Sequence, residues 1–209
     1  MELGYKRYSA ARDASWRVIA ENNIDSLPVD VFRLAQDMGI KVVPYSKGNP
    51  LMVLLGVSRH KESNDGLYVR FLGKSYIFYD DEVSSEGRIR FTIAHEIGHH
   101  ILGHIRRNLF VIPRCAERRR GGTLTVKERQ ANIFASRLLA PSVVLDSLNA
   151  TTEEEIANLC GISKEAAEYR LNRIKKINAR GRYSMSGLEK RVLDNFKHFI
   201  EEYKNNSTT

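Results

Sequence analysis

Cysteine is scarce in this 209-residue sequence: Cys115 and Cys160 are the only two, far apart and in no metal-binding or redox spacing. That excludes a disulfide framework and makes a reduced, cytoplasmic setting the default expectation. Long apolar runs are missing too. The longest, Leu51 to Val57, falls far short of the roughly 20 residues that span a bilayer, so no membrane partner is expected. The opening residues, MELGYKRYSA, carry charge but neither an apolar stretch nor a small-residue cleavage site, so no secretory leader is expected. Internal repeats and low-complexity linkers are also lacking; only the last five residues read as frayed.

What is present is ordinary for a globular protein: 42% apolar and 28% charged residues, enough to bury a core. The length fits one domain, or one domain with a small appendage. The net charge of +8 is concentrated in two places. One cluster comprises Arg106, Arg107, Arg114, Arg118, Arg119 and Arg120; the other runs from Lys164 to Arg182 and includes Arg170, Arg173, Lys175, Lys176 and Arg180. Such clusters suit an acidic or nucleic-acid partner, or form a solvated face balanced by acids elsewhere.

Local signals divide the chain into elements. A first helix is expected from about Ala10 to Glu21. A second is expected from Pro28, a good first-turn residue, to Gly39, a good cap. Ile40 to Tyr45 reads as a strand. Gly66 to Phe71 and Ser75 to Tyr79 read as a strand pair joined at Gly73-Lys74. Ser84 or Ser85 caps a long helix to about Leu102, and Leu109 to Pro113 is an apolar island. Gly121-Gly122 breaks the chain before a helix from Thr125 to Pro141. From Thr151 onward the pattern is helical. The expectation is an α+β domain over residues 1–150 with a helical extension over 151–209.

The informative segment is Phe91-Thr-Ile-Ala-His-Glu-Ile-Gly-His-His-Ile-Leu-Gly-His104. Residues four apart on a helix share one face, so His95 and His99 aim two imidazoles at one point, as tetrahedral zinc requires. Glu96 reaches the same space from the side, placed to take a proton from the attacking water and pass it to the leaving amine. A chain of this length contains such a pattern by chance in about one case in a hundred. Phe91, Ile93, Ala94, Ile97, Ile101 and Leu102 make the helix apolar over much of its surface. Its buried histidines therefore need polar partners or a metal. His100 and His104 project away from that face, His104 by about 180° from His95 on a straight helix. A structural role near the helix C-terminus, where the dipole favours cations, is expected for both. Gly98 suggests close approach by another backbone.

A catalytic zinc needs a third protein ligand. Glu128, Asn132, Ala135 and Leu139 form one helical stripe, polar at its start and apolar at its end. This makes Glu128 the best candidate, with Asn132 positioned to hydrogen-bond a ligating histidine. Thr125-x-x-Glu128 is equally a capping box, in which Glu128 folds back on the backbone. Glu117, Cys115 and Asp146 are poorer ligand candidates.

HEIGHH followed by ERQANIFASRLLAP resembles the ImmA/IrrE family of zinc metallopeptidases, with its HExGH and ExxANxFAxxLLxP motifs. Glu128, Ala131, Asn132, Phe134, Ala135, Leu138, Leu139 and Pro141 meet every fixed position of the second motif, and the resemblance spans about Phe32 to Pro141. It implies a zincin-like, thermolysin-type core with one Zn2+ on His95, His99 and Glu128 and with Glu96 as catalytic base. It further implies a cytoplasmic endopeptidase that cleaves a helix-turn-helix repressor in a bacterial or mobile-element stress or induction switch.

The segment from Thr152 to Leu171 is itself similar to a helix-turn-helix. Ala157, a Gly161 turn and a Ser163 cap are suitably spaced, and Thr152 with Glu155 makes a capping box. Arg170 stands where such motifs want an apolar residue, and Glu165 and Glu168 oppose phosphates. DNA is therefore possible but not favoured as a partner; packing or substrate docking is preferred. The rival reading is a DNA- or protein-binding regulator with a structural or idle metal site. Arg106, Arg107, His100, His104 and nearby tyrosines are all open candidates for stabilising the oxyanion.

Overall fold

The computed structural model describes residues 2–54, 66–104, 124–179 and 185–206. The first arginine cluster from Arg106 to Arg120, the Leu109–Pro113 island, Cys115, Glu117, Gly121-Gly122, Arg180 and Arg182 lie outside the described residues. The fold is α+β, as expected: a three-stranded sheet with helices before, between and after its strands. Two compact units divide the chain. One comprises residues 30–133, and the other joins residues 1–29 to residues 134–209. The expected division after residue 150 falls between two helices of the second.

The 30–133 unit holds the sheet. Helix α2 (Val31–Asp37) is capped by Asp30, whose carboxylate accepts from the N–H groups of Phe32 and Arg33. The helix therefore starts later than Pro28 suggests, because a side-chain cap satisfies donors that proline merely lacks. Gly39, at φ +69°, ends it as expected. Strand β1 (Ile40–Pro44) pairs in parallel with β3 (Lys74–Tyr79), and β2 (Gly66–Phe71) pairs antiparallel on its other side. Among the described residues, the order β1-β3-β2 leaves β2 at an edge. The hairpin turn lies at Leu72-Gly73, one residue before the expected Gly73-Lys74. Both turn residues have positive φ, and Phe71 pairs with Lys74. Two positive φ values match the right-handed twist of the strands.

Helix α3 (Tyr45–Leu54) was not expected, since its sequence contains Gly48 and Pro50. Packing accounts for it. A Cβ at position 48 would lie 3.0 Å from the Phe78 ring and 3.3 Å from Val43, and Met52 is buried with Phe78, Leu67 and Val69. The glycine lets α3 approach the sheet, and burial of Met52 outweighs weak helix propensity. Helix α4 (Glu86–Ile101) is capped by Ser85, as expected, and is buried from Thr92 to His99.

Helix α5 (Val126–Leu139) starts in the sheet-bearing unit and ends in the helical one. The helical unit also contains α1 (Glu2–Glu21), α6 (Ser142–Ser147), α7 (Glu153–Cys160), α8 (Lys164–Asn178), α9 (Gly187–Asn195) and α10 (Lys197–Asn206). Helix α1 thus begins well before Ala10. Ile19, Phe134, Leu138, Leu145, Ile156 and Phe196 are among the fully buried side chains of the helical unit.

The α7–α8 pair has the expected signals. Thr152 accepts from the N–H of Glu155, Gly161 adopts φ +59°, and Ser163 accepts from the N–H of Ala166. Arg170 explains its own departure from the motif. It is 3% exposed and its Nε donates to the Ala140 carbonyl at 2.6 Å, just past the end of α5. A cationic side chain there meets the negative end of the helix dipole. Replacing it leaves a buried acceptor without its charged donor, so Arg170→Met should cost about 1–3 kcal/mol. Urea denaturation of the two proteins tests this; equal midpoints would remove Arg170 from the packing account.

Candidate metal centre

Helix α4 and helix α5 bring together every residue expected at the metal. His95, His99 and Glu128 are 4%, 1% and 5% exposed, so the group is inside the protein. Nε2 of His95 lies 3.0 Å from Nε2 of His99, and the Glu128 carboxylate oxygens lie 3.2 Å from His95 Nε2 and 3.4 Å from His99 Nε2. Zinc bonds of 2.0–2.1 Å in tetrahedral geometry set neighbouring ligand atoms about 3.3 Å apart. The three donors already stand at the corners of such a face, and two imidazoles with one carboxylate are a known donor set for hydrolytic zinc. The residues present therefore fit a metal ion.

Charge is arranged to match. Burial alone would raise the Glu128 carboxyl, but hydrogen bonds from His95 and His99, with their charge, overcome it and hold the group far below the usual carboxylate range. Glu128 is thus an anion in the interior, ready to balance a cation. Its backbone is used as well: the Thr125 hydroxyl accepts from the Glu128 N–H at 3.3 Å. Cap and ligand were competing readings of Glu128: its amide takes part in the cap, and its carboxylate faces His95 and His99.

Asn132, one turn further along α5, lies with Oδ1 2.8 Å from Nδ1 of His95. The imidazole can then carry its proton on Nδ1 and present the Nε2 lone pair to the centre. Glu96 is 3% exposed, and its Oε2 accepts from the backbone N–H of Tyr68 at 3.0 Å. Since β2 is an edge strand, alternate N–H groups face away from β3, and Tyr68 offers one to α4.

Gly66 makes that approach possible. A Cβ there would overlap Thr92 Cγ2 and lie 3.2 Å from the Phe78 carbonyl and 3.5 Å from Glu96 Cγ. Gly66 on β2 is thus a point of close approach between the strand and α4. Sequence reasoning had no signal for Gly66 or for the Tyr68 amide, because both depend on the pairing of a strand with a helix.

His100 sits off the metal face, as the helical projection gives, whereas His104 does not. Nδ1 of His100 is 2.8 Å from the Tyr68 hydroxyl, which also lies 2.8 Å from Ser75 Oγ. Burial, and then the positive charge of Arg70, lowers the His100 pKa. His104 turns back: its Nδ1 is 3.0 Å from Nδ1 of His99 and its Nε2 is 3.1 Å from Oε1 of Gln130. Of the oxyanion candidates, His104 and Tyr68 are thus engaged within the site's own hydrogen bonds, and Arg106 and Arg107 lie outside the described residues.

The family model for the IrrE N-terminal-like domain, a peptidase family, matches residues 35–172. The chain belongs to this family. The match takes in the sheet, the metal centre and most of α8, reaching beyond Pro141 where the motif resemblance ends. No curated protein matches the chain. Family membership supports a metallopeptidase-type function, and the buried His95, His99 and Glu128 supply a place for its metal.

One prediction concerns the sheet–helix contact. Gly66→Ala should cost about 1–3 kcal/mol, as overpacking generally does, and should lower peptidase activity while leaving the metal donors intact. Denaturation midpoints beside metal content check it; an unchanged midpoint would mean that the strand yields freely.

Proposed function

We propose that the protein is a zinc-dependent endopeptidase. The observation that carries this is the convergence of His95, His99 and Glu128 on one buried point with the Glu96 carboxylate beside it. Zinc, when bound, would supply Lewis acidity, polarising the scissile carbonyl and bringing the pKa of water at its open position to about 7. The chain supplies the rest. Asn132 orients His95, and the Tyr68 amide fixes the Glu96 carboxylate. Glu96 takes the proton of the attacking water and returns it to the departing amine, so no net proton is consumed at the residue.

The substrate we propose is a regulatory protein, namely a helix-turn-helix repressor, cut in a bacterial or mobile-element regulatory switch in the cytoplasm. Support comes from the resemblance of HEIGHH and ERQANIFASRLLAP to repressor-cleaving peptidases. The α7–α8 pair is assigned to packing or substrate docking. Two features weigh against DNA: Arg170 is spent on Ala140, and exposed Glu165 and Glu168 would face phosphates. None of the helices among the described residues is long and apolar enough to cross a membrane.

Metal analysis together with two variants provides the test. Glu96→Gln should retain zinc and lose about 10²–10⁴-fold in cleavage of a co-expressed repressor, read as fragments by mass spectrometry. Glu128→Ala should lose the zinc itself. Zinc-loaded protein that cuts equally well with glutamine at position 96 would overturn the peptidase mechanism. Purified protein free of zinc, and unable to take it up, would overturn the metal.

A further inference from the structure

His95 has an acceptor for its outer nitrogen in Asn132, directly on α5. His99, 1% exposed, needs one as much, because a buried imidazole N–H without a partner costs about 1–3 kcal/mol. A partner for its Nδ1 is His104, just past the end of α4.

The end of α4 has a specific backbone form. Gly103 adopts φ +64°, its N–H donates to the His100 carbonyl at 3.2 Å, and the His104 N–H donates to the His99 carbonyl at 3.0 Å. These are the two bonds of a Schellman motif, in which the second residue past the cap folds back on the residue three before it. The pair brought together is usually apolar. Here it is His104 and His99, and their contact is the 3.0 Å Nδ1–Nδ1 hydrogen bond. That is why a straight-helix projection places His104 on the far side while the folded chain places it against a metal donor.

Proton positions then follow in one order. With the Nε2 lone pair of His99 aimed at the centre, its Nδ1 carries hydrogen. Nδ1 of His104 must therefore accept, its own hydrogen sits on Nε2, and that nitrogen donates to Oε1 of Gln130 at 3.1 Å. Every link has a donor facing an acceptor. Helix α5 thus contributes Glu128 as a donor and ends both supporting chains, through Asn132 for His95 and through Gln130 for His99.

We propose that His104 is a positioning residue of the metal centre, accepting the Nδ1–H of His99, with Gln130 selecting the tautomer that makes this possible. The proposal rests on the zinc reading above. Removing such a partner typically lowers metal affinity 10–100-fold.

The test compares His104→Leu, which fills the space without an acceptor, with His104→Asn, whose Oδ1 can stand near the Nδ1 position. Zinc affinity is measured on the full chain by competition with a chromophoric chelator. His104→Leu should bind zinc about 10–100-fold more weakly, and His104→Asn should recover most of that loss. Long-range 1H–15N spectra of the zinc-loaded wild type should show His99 with hydrogen on Nδ1 and His104 with hydrogen on Nε2. Gln130→Leu, which leaves both imidazoles in place, should disturb the His104 pattern even if the His104 variants fold poorly. Equal affinity of His104→Leu and wild type overturns the proposal, as does His104 hydrogen on Nδ1 in the wild type. Those outcomes leave zinc binding standing. A wild type that binds no zinc overturns both readings.

Discussion

Three polar side chains packed into an interior set the terms for the rest of the sheet-bearing unit. His95, His99 and Glu128 are each at least nine-tenths buried and sit within hydrogen-bond distance of one another. An anion and two imidazoles in such a place are tolerable only if each outward atom is satisfied and the inward atoms share a proton or a cation. From this follow Asn132 on His95 and the Thr125 cap at the start of α5. The apolar stripe of Ile93, Ala94 and Ile97 keeps the histidine helix inside. Burial of the helix and satisfaction of its polar face are therefore one requirement.

Much of this is legible in the sequence because it depends on spacing within a single helix. The four-residue interval of His95 and His99 and the same interval between Glu128 and Asn132 project onto one face whatever surrounds them. The Ser85 cap, the left-handed Gly39 and Gly161, and the two strands of the hairpin are local for the same reason. What the sequence hides depends on distant partners or on how a helix begins and ends. Helix α3 contains glycine and proline and was not among the expected elements, yet it packs with the Phe78 ring and the buried Met52. Pro28 reads as a helix start, but the side chain of Asp30 makes the actual cap. His104 escapes projection because the helix has already ended beneath it.

The helical unit carries a related lesson about charge. Its basic residues invite comparison with nucleic-acid readers, and the turn between α7 and α8 has suitable geometry at Gly161. Yet Arg170, which departs from the apolar pattern of such motifs, closes a carbonyl at the end of α5 inside the unit. A count of basic residues treats that guanidinium as surface available to a partner; its location shows it as a fastening within the fold. Family membership reaches through most of α8, so this fastening belongs to the region shared with the family and is not an appendage to it.

Gly66 adds a dimension that a catalogue of ligands omits. The lack of a side chain there acts as a spacing gauge between an edge strand and the helix that bears the catalytic candidates. A methyl group there would press on Thr92, on the same helix as His95, Glu96 and His99, and on the Phe78 carbonyl. The Tyr68–Glu96 hydrogen bond thus depends on a residue that contributes no atom to it.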